Sequence, residues 1–143
     1  MTAFGPYKAT VVAIHDGDTV DLDVVLWPHS KVASDVDVGF DVHRCSRGFV
    51  LERQSVRLYG CNAAELATPA GKAALAFLET ILHVGDAVTL VSHGWDKYGG
   101  RIDGTVALPD GRDLTQVMVA AGQAAAWDGQ GAKPVPTPPA ASA

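Results

Sequence analysis

The chain is poor in the residues that staple or anchor a protein. It has only two cysteines, Cys45 and Cys61. They lack a Cys-x-x-Cys spacing and a secretory leader, which reads as a reduced intracellular pair rather than a disulfide framework. Met1 to Lys8 carries no basic run followed by a sustained apolar stretch, and nowhere do about 18 uninterrupted apolar residues occur. The expectation is a cytoplasmic protein with no signal peptide and no membrane span. Positive charge is also scarce: 11 Lys and Arg stand against 16 Asp and Glu, a formal net charge of -5. That argues against a protein that coats nucleic acid through clustered cations, so any contact with phosphates must be local. His15, His29, His43, His83 and His93 form no His-x-x-x-His pair and have no cysteine partners. Each reads as a surface or packing residue, with more interest at His15 because it abuts Asp16. Without a Gly-x-Ser-x-Gly elbow, a P-loop or a dinucleotide fingerprint, acyl transfer, P-loop nucleotide hydrolysis and hydride transfer have no support.

What is present suffices for one domain, since 48% of the 143 residues are hydrophobic and a chain of this length buries a core without splitting. Tyr7 to Ile14 alternates and reads as a first strand turning at Asp16-Gly17, and Thr19 to Val25 returns as a second. Residues 26–53 are the least legible. Trp27-Pro28-His29-Ser30 breaks the run, Val36 to Val42 is a candidate extension of the sheet, and Cys45-Ser46-Arg47-Gly48 resembles a turn before a strand from Phe49 to Tyr59. The stretch reads as a long excursion of a hairpin, being too poor in apolar residues for its own core. Thr68 as cap, Pro69 at the first position and an apolar face of Ala70, Ala73, Ala74, Phe77, Leu78, Ile81 and Leu82, stopped by Gly85, predict a helix. Ala87 to Ser92 and Ile102 to Leu108 predict two more strands. Asp113, with Gln116 three residues on, opens a second helix that buries Leu114, Val117, Met118 and Ala121 before Gly122. Five strands with a helix between the third and fourth make an α+β fold built on a small closed barrel. Residues 1–128 are the expected domain, and residues 129–143, with Pro134, Pro136, Pro138 and Pro139, the expected disordered tail.

Two separated segments carry the chemistry. Asp16-Gly17-Asp18-Thr19-Val20 and Val56-Arg57-Leu58-Tyr59-Gly60-Cys61-Asn62-Ala63-Ala64-Glu65 supply oxygen ligands, a guanidinium and a lone carboxylate. Each has a strand-like flank: Val20, Leu22 and Val24 alternate with Asp21 and Asp23, and Val56 and Leu58 with Arg57. Cation-assisted cleavage of a phosphodiester needs these groups, because charge grows on its leaving and non-bridging oxygens. Asp96-Lys97-Tyr98-Gly99-Gly100-Arg101 adds a second cationic turn, and Trp95 and Tyr98 could stack on unpaired bases. Asp35, Asp37 and Asp41 add to the acidic first third, and Arg44, Arg47 and Arg53 follow; a solvated strand face is the plainer account of Asp21, Asp23, Arg44 and Arg47.

In this order the three segments resemble those of the thermonuclease family, the staphylococcal-nuclease-like proteins, whose pattern runs roughly Asp-Gly-Asp-Thr, then Arg-Leu-x-Gly-Ile/Val-Asp-x-Pro-Glu, then Asp-x-Tyr-Gly-Arg. The match holds in the first segment and at Arg57, Leu58, Gly60 and Glu65, and the resemblance spans about Tyr7 to Trp127. Asn62 stands where the pattern has Asp, Ala64 where it has Pro, and an extra glycine precedes Arg101. The resemblance implies a five-stranded OB-fold barrel with two or more helices, and a calcium-dependent nuclease that hydrolyses DNA and/or RNA with little sequence preference. It implies Arg57 and Arg101 as the phosphate clamp, Glu65 as the residue that activates or positions water, and Lys97 and Tyr98 as contacts to the substrate's phosphate or nucleotide. Asp18, the Asn62 side-chain oxygen and the Ala63 backbone carbonyl are the implied calcium ligands. Only a one-residue bulge would bring Arg101 to the phosphate. Asn62, the extra glycine and the acidic net charge favour instead a non-catalytic OB-fold module that binds nucleic acid or protein.

Overall fold

A computed structural model of the chain describes residues 3–27, 44–45, 48–97 and 99–136. In β1 (Phe4–Asp16) and β2 (Thr19–Trp27), Ala9, Val11, Val20, Leu22 and Val24 are buried, the period of two that a half-buried strand imposes. The strands pair antiparallel, with Asp16 opposite Thr19 across the Gly17-Asp18 turn. Close approach demands the glycine: a Cβ at Gly17 would lie 2.7 Å from the Ala74 Cβ and 2.9 Å from the Ala63 Cβ. The turn that carries Asp18 is thereby pressed against its neighbours.

The barrel closes through three further strands. β4 (Gly48–Leu58) pairs antiparallel with β2, setting Thr19 opposite Arg57, and the short β3 (Arg44–Cys45) pairs with its first residues. β6 (Ala87–Trp95) and β7 (Ile102–Ala107) form a hairpin in which β6 also lies antiparallel to β1 and β7 parallel to β4. The order β2-β1-β6-β7-β4 returns to its start by the β2–β4 pairing. The result is a closed, mixed, five-stranded barrel. Helix α1 (Pro69–Ile81) stands between its third and fourth strands and α2 (Leu114–Ala120) follows its fifth. This is the OB-like α+β barrel expected from the sequence. Leu22, Leu58, Leu78, Leu82, Leu90, Leu114 and Met118 fill its core.

Both helix starts follow their caps. The Thr68 hydroxyl accepts the Gly71 N–H at 3.0 Å, and Asp113 accepts the Thr115 N–H at 2.9 Å while Gln116 stays exposed. α1 ends before its expected stop: Leu82 is already extended, and Gly85, at φ +95°, serves the turn into β6. Its apolar face is also narrower, because Ala73 is exposed. β5 (Cys61–Ala63) and β8 (Ala124–Ala126) pair antiparallel in a small second sheet that the sequence hides, since three residues are too few to show a period. The candidate strand Val36 to Val42, with Asp35, Asp37, Asp41 and Arg47, lies outside the described residues, as do Tyr98 and residues 137–143. Residues 129–136 of the tail are described, and there Pro136 is buried and the Pro134 carbonyl accepts a hydrogen bond from Asn62. Among the described residues no helix is long and apolar enough to cross a membrane.

Candidate active-site cleft

The β2–β4 register and the turn into β5 bring the two chemistry-bearing segments together. Asp18, buried at its turn, accepts the Ala63 N–H at Oδ2 (2.9 Å) and the Thr19 hydroxyl at Oδ1 (3.3 Å). Arg57 donates from Nη2 to the Asn62 Oδ1 at 3.1 Å, and the same nitrogen lies 3.7 Å from the Asp18 Oδ2. Two of the expected ligand oxygens therefore converge on one cationic nitrogen. Burial, and then the hydrogen bond and charge of Asp16, push the Asp18 carboxyl up to about 6, with the Ala63 N–H and Arg57 opposing them incompletely. A buried carboxylate short of compensating charge and an amide oxygen turned to the same cation fit a hard ion such as calcium, which would compete with Arg57 for both oxygens. Ala63 enters the cluster through its N–H. Among the described residues no group of three or more His, Cys, Asp or Glu side chains is placed to hold a metal.

Beside this cluster opens a cleft of about 280 Å³, lined by Arg57, Tyr59, His93, Trp95, Asp96, Lys97, Arg101, Asp103, Trp127, Asp128 and Lys133 among others. The Arg57 guanidinium lies 5.3 Å and the Lys97 Nζ 6.0 Å from the centroid of the Trp127 ring, within reach of cation–π attraction. Tyr59 and His93 stack at 4.0 Å between centroids. Arg101 reaches the cleft with the extra glycine in place. Gly99 and Gly100 take φ of +74° and +81°, the Asp96 N–H donates to the Arg101 carbonyl at 2.8 Å, and the Arg101 Nε donates to the buried Asp96 Oδ2 at 2.8 Å. The hairpin's register shift lies in β6, where Ser92 and Trp95 face Gly104 and Ile102. Asp103, opposite Arg57 in the β4–β7 register, has its carboxyl pKa raised by burial and by Asp96, against Arg57 and Arg101.

Glu65 sits elsewhere. It is exposed, it does not line the cleft, and its backbone carbonyl takes the Thr68 N–H (2.9 Å) and hydroxyl (2.6 Å). Tyr98 lies outside the described residues. His15 pairs with the buried Asp21, Nε2 to Oδ2 at 2.9 Å, and His93, expected to be a surface or packing residue, forms part of the cleft wall with its Nε2 2.8 Å from the Thr105 Oγ1. Trp95 lines the cleft and is 66% exposed. No motif marks Trp127, Asp103 or Lys133 in the sequence. Trp127 follows an alanine run, and only the β5–β8 pairing carries it to Arg57, its N–H donating to the Gly60 carbonyl at 2.9 Å. Neither a protein-family model nor a curated protein matches this chain.

Proposed function

We propose that this chain is a calcium-dependent phosphodiesterase of the cytoplasm that hydrolyses DNA and/or RNA with little sequence preference. What supports it best is the joint placement, in one cleft, of two guanidinium groups, Arg57 and Arg101, with Lys97, Lys133 and the rings of Trp95 and Trp127. Guanidinium forks suit phosphate oxygens, and aromatic faces take any unpaired base. Hydrolysis joins a water oxygen to phosphorus and breaks the bond to the leaving oxygen, which takes up a proton. Arg57 and Arg101 offset the charge that gathers on the phosphoryl oxygens meanwhile. Asp96 holds Arg101 by its Nε, which leaves the terminal nitrogens for phosphate. Glu65 is the carboxylate assigned to position and deprotonate the water, and Lys97 and Tyr98 the contacts to the nucleotide. A calcium ion, when bound, supplies further positive charge and acidifies a coordinated water, with Asp18, Asn62 and the Ala63 carbonyl as the residues that would hold it.

Digestion of plasmid and single-stranded DNA with calcium and with chelator tests the reading. Cleavage should need calcium, and Arg57→Ala and Glu65→Gln should each lose at least about two orders of magnitude with the circular dichroism unchanged. A folded variant that cleaves at the parental rate removes that residue from its role. A second reading, a non-catalytic OB-fold module that binds nucleic acid or protein, is favoured by the exposed place of Glu65 outside the cleft and by the engagement of Asn62 with Arg57. Oligonucleotide binding without cleavage in calcium would establish it.

A further inference from the structure

The first residues of the tail stay with the cleft. The Trp127 Nε1 donates to the Gln130 carbonyl at 2.8 Å, the Gln130 N–H returns to the Asp128 Oδ1 at 2.9 Å, and Lys133 joins the cleft wall. The Pro134 carbonyl then accepts from the Asn62 Nδ2 at 3.1 Å, and Pro136 is buried. Asn62 works in two directions there, since its Oδ1 takes the Arg57 Nη2 while its Nδ2 gives to Pro134. An aspartate at this position, acceptor-only when ionised, would set an oxygen against the Pro134 carbonyl oxygen and repel it. The carboxamide is the side chain that holds a guanidinium and a carbonyl at once.

We propose that residues 129–136 form a strap along the Arg57 side of the cleft, tied to Asn62 beside it, and that a nucleic-acid strand displaces it on entering, an inference that rests on the nucleic-acid reading above. The strap offers a neutral carbonyl to donors on that side, whereas a phosphate brings charged oxygens and makes the stronger hydrogen bonds. Pro134 and Pro136 restrict the free segment, so holding it costs less entropy. The strap's contact is therefore one that a charged ligand can outcompete.

The full chain carrying Gly129→Ala and Gly131→Ala tests this. These glycines have φ of +87° and +72°, and a Cβ added at either would meet nothing within 4 Å, so alanine there strains only the strap's own backbone. Hydrogen exchange at the amides of residues 129–133 and 135 should quicken, and a short fluorescent single-stranded oligothymidylate, titrated in chelator, should bind about a hundredfold tighter, about tenfold for each of the two left-handed alanines. Asn62→Asp should quicken the same amides. Faster exchange with unchanged or weaker oligonucleotide affinity overturns the strap as a cover. Amides that exchange as fast in the parent as in both variants overturn it as well. If neither parent nor glycine variant binds the oligonucleotide, the nucleic-acid reading falls, and the displacement of the strap with it.

Discussion

Asp18 holds its proton more tightly than an ordinary aspartate because burial and Asp16 both oppose its charge. Below its ordinary value of 3.8 the group is protonated whether the chain is folded or not. Between 3.8 and about 6 the unfolded chain releases the proton first, so stability falls as pH rises, and above about 6 the loss is complete. The whole effect is about 3 kcal/mol at most. Metal-free Asp18→Asn should then exceed the parent at neutral pH by about 1–3 kcal/mol, with the advantage vanishing toward about pH 4 as the linkage disappears. Urea titrations in chelator check it, and the difference between parent and variant isolates Asp18 from the other carboxylates. A difference that stays flat over that interval would show that Asp18 ionises normally in the fold. At the neighbouring Cys61, burial and the charge of Asp18 push the thiol up to about 12, which withholds the thiolate that oxidation requires.

Helix α1 positions Glu65 through its first turn. The Thr68 hydroxyl joins the Gly71 N–H to the Glu65 carbonyl, and a Cβ on Gly71 would fall 1.8 Å from that carbonyl oxygen. Contact, rather than helix propensity, requires the glycine. Gly71→Ala should gain about 1 kcal/mol in propensity yet destabilise the protein by about 1–3 kcal/mol net, as overpacking against an immobile backbone does. It should also lower kcat while oligonucleotide affinity holds, because Arg57 and Trp127 stand on other elements. Denaturation and steady-state cleavage measure the two effects, and a variant as stable and active as the parent would show that the Glu65 segment is not pinned to the helix. The first turn is legible in the sequence, since Thr68 and Pro69 act on residues a few positions away. β5 and β8 are not, because a pair of three-residue strands has no periodicity and is defined only by its partner.

At the scale of the whole molecule the charge is -5, yet Arg57, Lys97, Arg101 and Lys133 line one cleft against Asp96, Asp103 and Asp128. Four cations limit counterion release, so the logarithm of affinity for a single strand should fall with the logarithm of salt at a slope no steeper than about -3. Anisotropy titrations over a range of salt measure this, and a steeper slope would place the binding surface beyond the cleft. The amino-acid sequence by itself determined the five barrel strands, both helices and their caps, because alternation, capping and turn chemistry act between near neighbours in the chain, and it set Arg57, Asn62 and Ala63 in one short segment. Only the tertiary structure decided that Asp103 lies across from Arg57, that Trp127 sits beneath the Arg57 and Lys97 cations, and that Asn62 gives its Nδ2 to the Pro134 carbonyl. Those contacts join segments far apart in the chain, and they exist because burying Leu22, Leu58 and Leu90 in one core closes the barrel and sets every register at once.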